Sequence, residues 1–246
     1  MPIKVVLFDL FDTLIIIRKN SKSYSPSLMR MYKYLNGNGI NVSFGTFQKA
    51  YVKSRDELFA KADANLEEPH FNVRVSETLK SLGYNHEVSS PIVTSATAEF
   101  CEEFLTQVFL DRNTKKLLKT LHGKYKLGII SNFALPECVD KLLKTYDLNQ
   151  LFDAIVVSGA VNKRKPCPEI FEHTLKTLGG TAASETVFVG DTLDSDIEGA
   201  KAVGMKAVYL QRRIEKVEQV PADLTIKSLS ELPRALRHFQ KSAELN

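Results

Sequence analysis

Short apolar runs recur along the chain, and each ends on a polar residue. The first spans Lys4 to Asp9; four more follow much later as YKLGIISN (125–132), FDAIVVS (152–158), TVFVGD (186–191) and MKAVYL (205–210). Continuous β-rich runs of this length are the pattern of parallel strands buried on both faces, with polar groups left at their C-terminal tips. Helical stretches lie between them at Pro136 to Tyr146, Pro168 to Leu178 and Ser195 to Val203. The first two start at a proline, whose missing N–H costs nothing in a first helical turn. Strand and helix alternating in this way predict an α/β fold: a Rossmann-like parallel sheet with helices on both faces.

Between Ile17 and Phe109 the period changes. Apolar residues recur near every 3.6 positions (Leu28, Met31, Tyr32, Leu35; then Phe47, Tyr51, Leu58), and no segment reads as a strand. Gly37, Gly39, Pro69, Gly83 and Pro91 divide this stretch into about four helices. The expected organisation is an α/β core formed by residues 1–16 and 110–246, with a helical cap subdomain inserted at 17–109. An insert placed directly after the first strand hangs over the C-terminal edge of the sheet, where ligands bind in open α/β folds.

Composition narrows the picture. With 246 residues, 43% hydrophobic and 25% charged, the chain has the make-up of an ordinary folded protein, not of a disordered or fibrous one. Its net charge of +4 suits an anionic substrate, and the short KNSK (19–22) and KRK (163–165) runs make no nucleic-acid footprint. Cys101, Cys138 and Cys167 are an odd number without a CxxC pair, which indicates neither a zinc site nor a disulfide framework. Asp9 and Asp12 interrupt the apolar N-terminus, which is followed by no cleavage site, and no stretch has the length of a membrane span. The expectation is a cytoplasmic protein with no membrane or nucleic-acid partner; oligomeric state is not encoded in these features.

Four polar clusters carry candidate chemistry. Asp9 and Thr13 lie in FDLFDTL (8–14), Ser131 and Asn132 end a strand in IISNF, Lys165 precedes a helix start in KRKPCPEIF, and Asp191 and Asp196 lie in FVGDTLDSDIEGA. Each alone has a plain structural reading as a cap, a turn or a solvated charge. Together, in this order, they fall where a parallel sheet collects its strand tips. Three carboxylates, an ammonium, a hydroxyl and an amide are what handling a phosphoryl group with a divalent ion requires. A carboxylate nucleophile divides such a transfer into two easier steps.

These motifs, their order and the insert resemble the haloacid dehalogenase (HAD) superfamily, in the branch with a helical cap after the first strand. GDTLDSDIEGAKAVGM and KPCPEIF are close to that family's wording, and PADLTIKSLSELP resembles its C-terminal strand and helix. The resemblance implies Asp9 as nucleophile, Thr13 as a loop-stabilising catalytic residue and Lys165 as the catalytic and substrate-binding cation. It implies Ser131 and Asn132 as substrate-binding residues. The Mg²⁺ site would comprise Asp9, the backbone carbonyl of Phe11, Asp191 directly and Asp196 through water. The implied substrate is a small anionic, phosphorylated metabolite.

Phe11 departs from the family pattern, in which most phosphatases carry a second Asp two positions after the nucleophile as general acid and base. Three readings stay open. One is a Mg²⁺-dependent phosphatase that is slow on ordinary monoesters or prefers leaving groups needing no proton. Another is a 2-haloacid dehalogenase, whose branch has an aromatic residue, usually Tyr, at this place; the intact Gly190–Asp191 pair stands against it. The last is a catalytically weak protein that binds a phosphorylated ligand or a partner. Asp12 is the neighbouring candidate for the missing acid, although a one-residue shift in a strand-tip turn usually points a side chain elsewhere. Tyr24, Arg30, Arg55, His70 and Arg74 are candidate substrate contacts in the insert, Phe11 a candidate pocket wall, and Lys22, Lys49, Lys53 and Lys61 candidates for the Schiff-base lysine of a phosphonatase-like variant.

Overall fold

A computed structural model describes residues 2–18, 24–212 and 221–244; Lys22 and the KNSK run lie outside these residues. Six parallel strands form one sheet: β1 (Val5–Phe8), β4 (Lys126–Ser131), β5 (Ala154–Val157), β6 (Thr186–Gly190), β7 (Lys206–Leu210) and β8 (Leu224–Ile226), in spatial order β5-β4-β1-β6-β7-β8. The α/β expectation is met, including the strand within PADLTIKSLSELP. β1 sits in the middle because its four residues, VVLF, are all buried. Its side chains alternate between two cores: Val6 and Phe8 join one cluster, Val5 and Leu7 the other. A strand covered on both faces has no polar side, which is why its sequence reads as an unbroken apolar run.

The chain runs outward from β1 to β4 and β5, then crosses back to β6, β7 and β8. This makes β1 the point where the winding reverses, and the crevice outside the strand tips there is the ligand position of open α/β sheets. α5 (Thr114–Leu121), α6 (Pro136–Thr145), α7 (Ser158–Val161), α8 (Pro168–Thr177), α9 (Gly199–Ala202) and α10 (Leu232–Glu244) accompany the sheet. α5 shows the logic: Thr114, Leu117, Leu118 and Leu121 make one buried stripe while the lysines between them face outward. In α6, proline opens the first turn, Glu137 lies near the positive helix end and Lys144 near the negative one.

The segment expected to be strand-free begins and ends in a strand. β2 (Ile15–Ile17) pairs antiparallel with β3 (Val108–Leu110), Ile17 opposite Val108. Among the described residues between them lie four α-helices: α1 (Ser25–Gly37), α2 (Phe44–Ala62), α3 (Phe71–Ser81) and α4 (Pro91–Leu105). The glycines and prolines act as their breakers: Gly37 ends α1, Pro69 precedes α3, Gly83 follows it, and Pro91 opens α4. The core around Phe8 and Leu10 continues into these helices through Leu28, Met31, Phe71 and Phe100. The expected helix at 195–203 is instead a wide, π-type turn over Leu193–Glu198 followed by α9. All three cysteines are free and buried. No described helix is long and apolar enough to cross a membrane.

Candidate active site

The tips of β4, β1 and β6 deliver the site. Phe8 is in register with Ile129 on one side and Val189 on the other, so Asp9, Ser131 and Asp191 emerge from three adjacent strands at one edge. The Asp9 N–H donates to the Val189 carbonyl at 2.9 Å, extending the ladder by one step and fixing where its side chain starts.

Lys165 reaches this edge from the segment between α7 and α8. Its Nζ donates to Asp9 Oδ1 and to Asp196 Oδ1, both at 2.7 Å, and the residue is 2% exposed. Such a buried cation is tolerated only because two anions flank it. Burial alone would lower the Lys165 pKa, but Asp196 and Asp9 outweigh it and hold the ammonium above its ordinary range. Burial pushes Asp9 up to about 6; Lys165 opposes this and Asp196 adds to it. Thr13 also favours the Asp9 anion, although its buried Oγ1 makes no hydrogen bond of regular geometry.

Asp9, Asp191 and Asp196 bring carboxylate oxygens within 4.8 Å of one another. Asp196 is locked in place: Lys165 holds one oxygen, and the Thr192 N–H donates to the other at 3.0 Å. Gly190 makes room for this, since a Cβ there would run into the Asp196 carboxyl group. Asp191 is only partly buried and borders a cavity of about 390 Å³ shared with Phe11, Asp12 and Asp194. Three clustered carboxylates facing one ammonium leave a deficit of positive charge, and hard oxygen donors suit Mg²⁺. The donor set therefore fits a divalent ion.

The Ser131 hydroxyl is buried and lacks a partner, which leaves it ready for a ligand oxygen. Asn132 is engaged differently. Its Nδ2 donates to the Lys165 carbonyl at 2.9 Å, while its Oδ1 accepts from the Lys165 N–H at 2.8 Å. This reciprocal clamp sets the Lys165 backbone, and Asn132 still borders a second cavity of about 720 Å³.

Phe11 packs its ring on Phe133 (centroids 4.9 Å apart) and on Phe104 of α4 (5.6 Å). The position thus carries an aromatic contact between the strand-tip loop and the insert. Asp12, the neighbouring candidate for the missing acid, borders the smaller cavity, and its Oδ1 accepts from the Ile17 N–H at 3.1 Å, directing that oxygen toward β2.

The insert candidates separate clearly. Tyr24, Arg55 and Arg74 line the larger cavity. Arg30 pairs with Glu99 away from it. His70 accepts from the Asn72 N–H at the start of α3, leaving Nε2 to donate to Glu137 at 3.0 Å, a structural use. Lys49, Lys53 and Lys61 are exposed and do not line it.

One residue escaped the sequence reading. Arg212, two positions beyond β7, donates through Nε to the Asp12 carbonyl (2.9 Å), through Nη2 to the Thr13 carbonyl (2.7 Å) and through Nη1 to Asp111 Oδ2 (2.9 Å). It pins the loop after the nucleophile candidate. Its position just past a strand tip was the available signal.

A family model of haloacid dehalogenase-like hydrolases matches residues 3–204. The chain is similar to the glyceraldehyde 3-phosphate phosphatase of Pyrococcus abyssi (strain GE5 / Orsay), with 32% identity over 211 residues covering 85% of this chain and 82% of that protein. Among solved structures, a HAD phosphatase from Thermococcus onnurineus superposes with a TM-score of 0.64 and 27% identity, covering 95% of this chain and 98% of that one. A 2-haloacid dehalogenase from Pseudomonas syringae pv. Tomato DC3000 shares the fold at a TM-score of 0.74 and 22% identity, covering 96% and 99%.

Proposed function

The chain belongs to the haloacid dehalogenase-like hydrolase family, and from that premise we propose that it is a Mg²⁺-dependent phosphatase that transfers the phosphoryl group of a small phosphorylated metabolite through Asp9. The observation that carries the proposal is the buried Asp9–Lys165–Asp196 arrangement beside Asp191 at the winding reversal of the sheet. Relatives named as phosphatases, both matching over most of both chains, favour this reading over a dehalogenase. So does a cluster of three carboxylates that the single Lys165 ammonium does not neutralise.

In the proposed mechanism Lys165 orients the Asp9 carboxylate and holds it ionised for attack on phosphorus. A bond forms between an Asp9 oxygen and phosphorus while the bond from phosphorus to the leaving oxygen breaks. Water then attacks the same phosphorus, releasing inorganic phosphate and regenerating the carboxylate. Ser131 and loop N–H groups bind the equatorial oxygens, where charge accumulates. Asn132 keeps Lys165 in place. Asp9, Asp191 and the Phe11 carbonyl would hold Mg²⁺ directly and Asp196 through water, and the ion supplies charge neutralisation at the phosphoryl oxygens. The cap reading assigns residues 17–109 to closure over the site, with 1–16 and 110–246 as the core. A closed cap would exclude water from the transfer.

Phe11 stands where the family's general acid usually does, and Asp12 commits its Oδ1 to the Ile17 N–H. Substrates whose leaving group departs as a stable anion are therefore preferred. The test is phosphate release from acetyl phosphate and p-nitrophenyl phosphate, beside chloride release from 2-chloropropionate, with and without Mg²⁺. Mg²⁺-dependent phosphate release is expected; metal-independent chloride release would overturn the reading.

A further inference from the structure

The larger cavity contains a cation that makes no ion pair among the described residues. Its walls include Tyr24, Tyr51, Phe59, Phe71, Phe100 and Phe133, and Asn132 lies at its border with the catalytic edge. Arg74, on α3, lies against three of these rings, 5.1 Å from the Phe59 centroid, 5.2 Å from Phe71 and 5.8 Å from Tyr51. Its Nη1 donates to the Tyr51 hydroxyl at 3.2 Å, while its buried Nε has no acceptor. Among the described residues no carboxylate pairs with it. Arg55, on the same wall, is by contrast neutralised by Asp56. Glu68 lines the cavity too, and Arg74 favours its ionised form from beyond ion-pairing distance.

A guanidinium that is half-buried, ring-flanked and unpaired is costly unless a ligand completes it. Three rings surround it, and a planar oxygen acceptor is what its fork matches. The cavity also far exceeds what a three-carbon sugar body fills, and its walls are aromatic. Phe11 adds a second constraint, because without an acid at that position a leaving group that departs as a stable anion is favoured.

We propose that Arg74 is a specificity-determining residue, and that the substrate is a phosphate ester of a flat, conjugated leaving group bearing a planar oxygen acceptor, a carboxylate or an amide carbonyl, at the end away from phosphorus. The phosphoryl group sits at Asp9 and Ser131, the ring lies along the aromatic wall, and the acceptor meets Arg74. This rests on the phosphatase reading and deepens it.

The experiment compares phenyl phosphate with its 4-carboxy and 4-carbamoyl derivatives, and 2-naphthyl phosphate with its 6-carboxy and 6-carbamoyl derivatives, in wild type, Arg74→Lys and Arg74→Met. At one of the two lengths, an acceptor-bearing ester should show a KM at least tenfold below its unsubstituted parent. Arg74→Met should erase that ratio and Arg74→Lys retain part of it. Whether the carboxy or the carbamoyl compound leads identifies the acceptor as anionic or neutral. Equal KM values within both series, or a preference that survives Arg74→Met, would overturn the proposal. Acetyl phosphate serves as the control for the phosphatase reading itself. If that control is silent, calorimetric binding of 4-hydroxybenzoate, 4-hydroxybenzamide and their 6-substituted 2-naphthol counterparts still decides. Binding weakened tenfold or more in Arg74→Met sustains the Arg74 contact, and binding unchanged or absent in wild type removes it. A thermal melt of each variant separates misfolding from lost recognition.

Discussion

Replacing Lys165 by methionine tests the electrostatic balance of the site. The substitution conserves chain length and packing but removes the ammonium that bridges Asp9 and Asp196 at 2.7 Å each, both at positions almost without solvent. Breaking a buried ion pair by removing one partner costs about 3–5 kcal/mol, because the remaining charges stay buried. For a chain of this size each kcal/mol moves the melting temperature by about 2–4 °C, which gives an expected loss of about 6–20 °C. The pH dependence has a definite sign. In the wild type the Asp9 pKa is raised from 3.8 to about 6, so its contribution to stability is complete below the unfolded value and is lost as pH rises through 6. Lys165 opposes that rise, so its removal lifts the pKa further. The gap between wild type and variant should widen above pH 6 and narrow below it. Melting curves in EDTA between pH 5 and 8 make the measurement, and excess Mg²⁺ should recover part of the loss. A shift under about 2 °C that does not vary with pH would refute the balance described.

Two further substitutions probe the support of the site. Gly190→Ala drives a methyl group into the Asp196 carboxyl, and should cost about 1–3 kcal/mol together with most of the Mg²⁺-dependent activity; unchanged melting and turnover would contradict the packing. Arg212→Lys cannot reproduce three diverging donors to Asp12, Thr13 and Asp111, so a stability loss of about 2 kcal/mol and at least a tenfold fall in kcat are expected, read by melting and steady-state kinetics. Wild-type behaviour of that variant would mean the loop holds its shape without it.

The parallel sheet was legible because its central strands are buried on both faces, so Val5–Phe8 and Thr186–Gly190 read as unbroken apolar runs with polar tips. The β2–β3 ribbon was not. Its strands have three residues each, too few to show a period, and the partner of Ile17 lies on the far side of four helices. The sequence pattern over 195–203 fits an ordinary helix because the widening at Leu193–Glu198 leaves the apolar spacing nearly unaltered. At the site, the polar strand tips of Asp9 and Asp191 marked where groups converge, and Lys165 and Asp196 reach the same edge from the segments that follow β5 and β6. Spacing is silent on which groups partner one another. That Asn132 clamps the Lys165 backbone, that Asp12 turns toward Ile17 and that Arg212 closes the loop are properties of tertiary geometry.

The central claim is that Asp9 carries the phosphoryl group. Acid quenching of the wild type during turnover of acetyl phosphate with Mg²⁺, followed by mass spectrometry of the peptide containing Asp9, reads it directly. A phosphoryl adduct on that peptide, absent without Mg²⁺ and absent in Asp9→Asn together with turnover, is the predicted result. Undiminished phosphate release by Asp9→Asn, with no adduct in either protein, would contradict it.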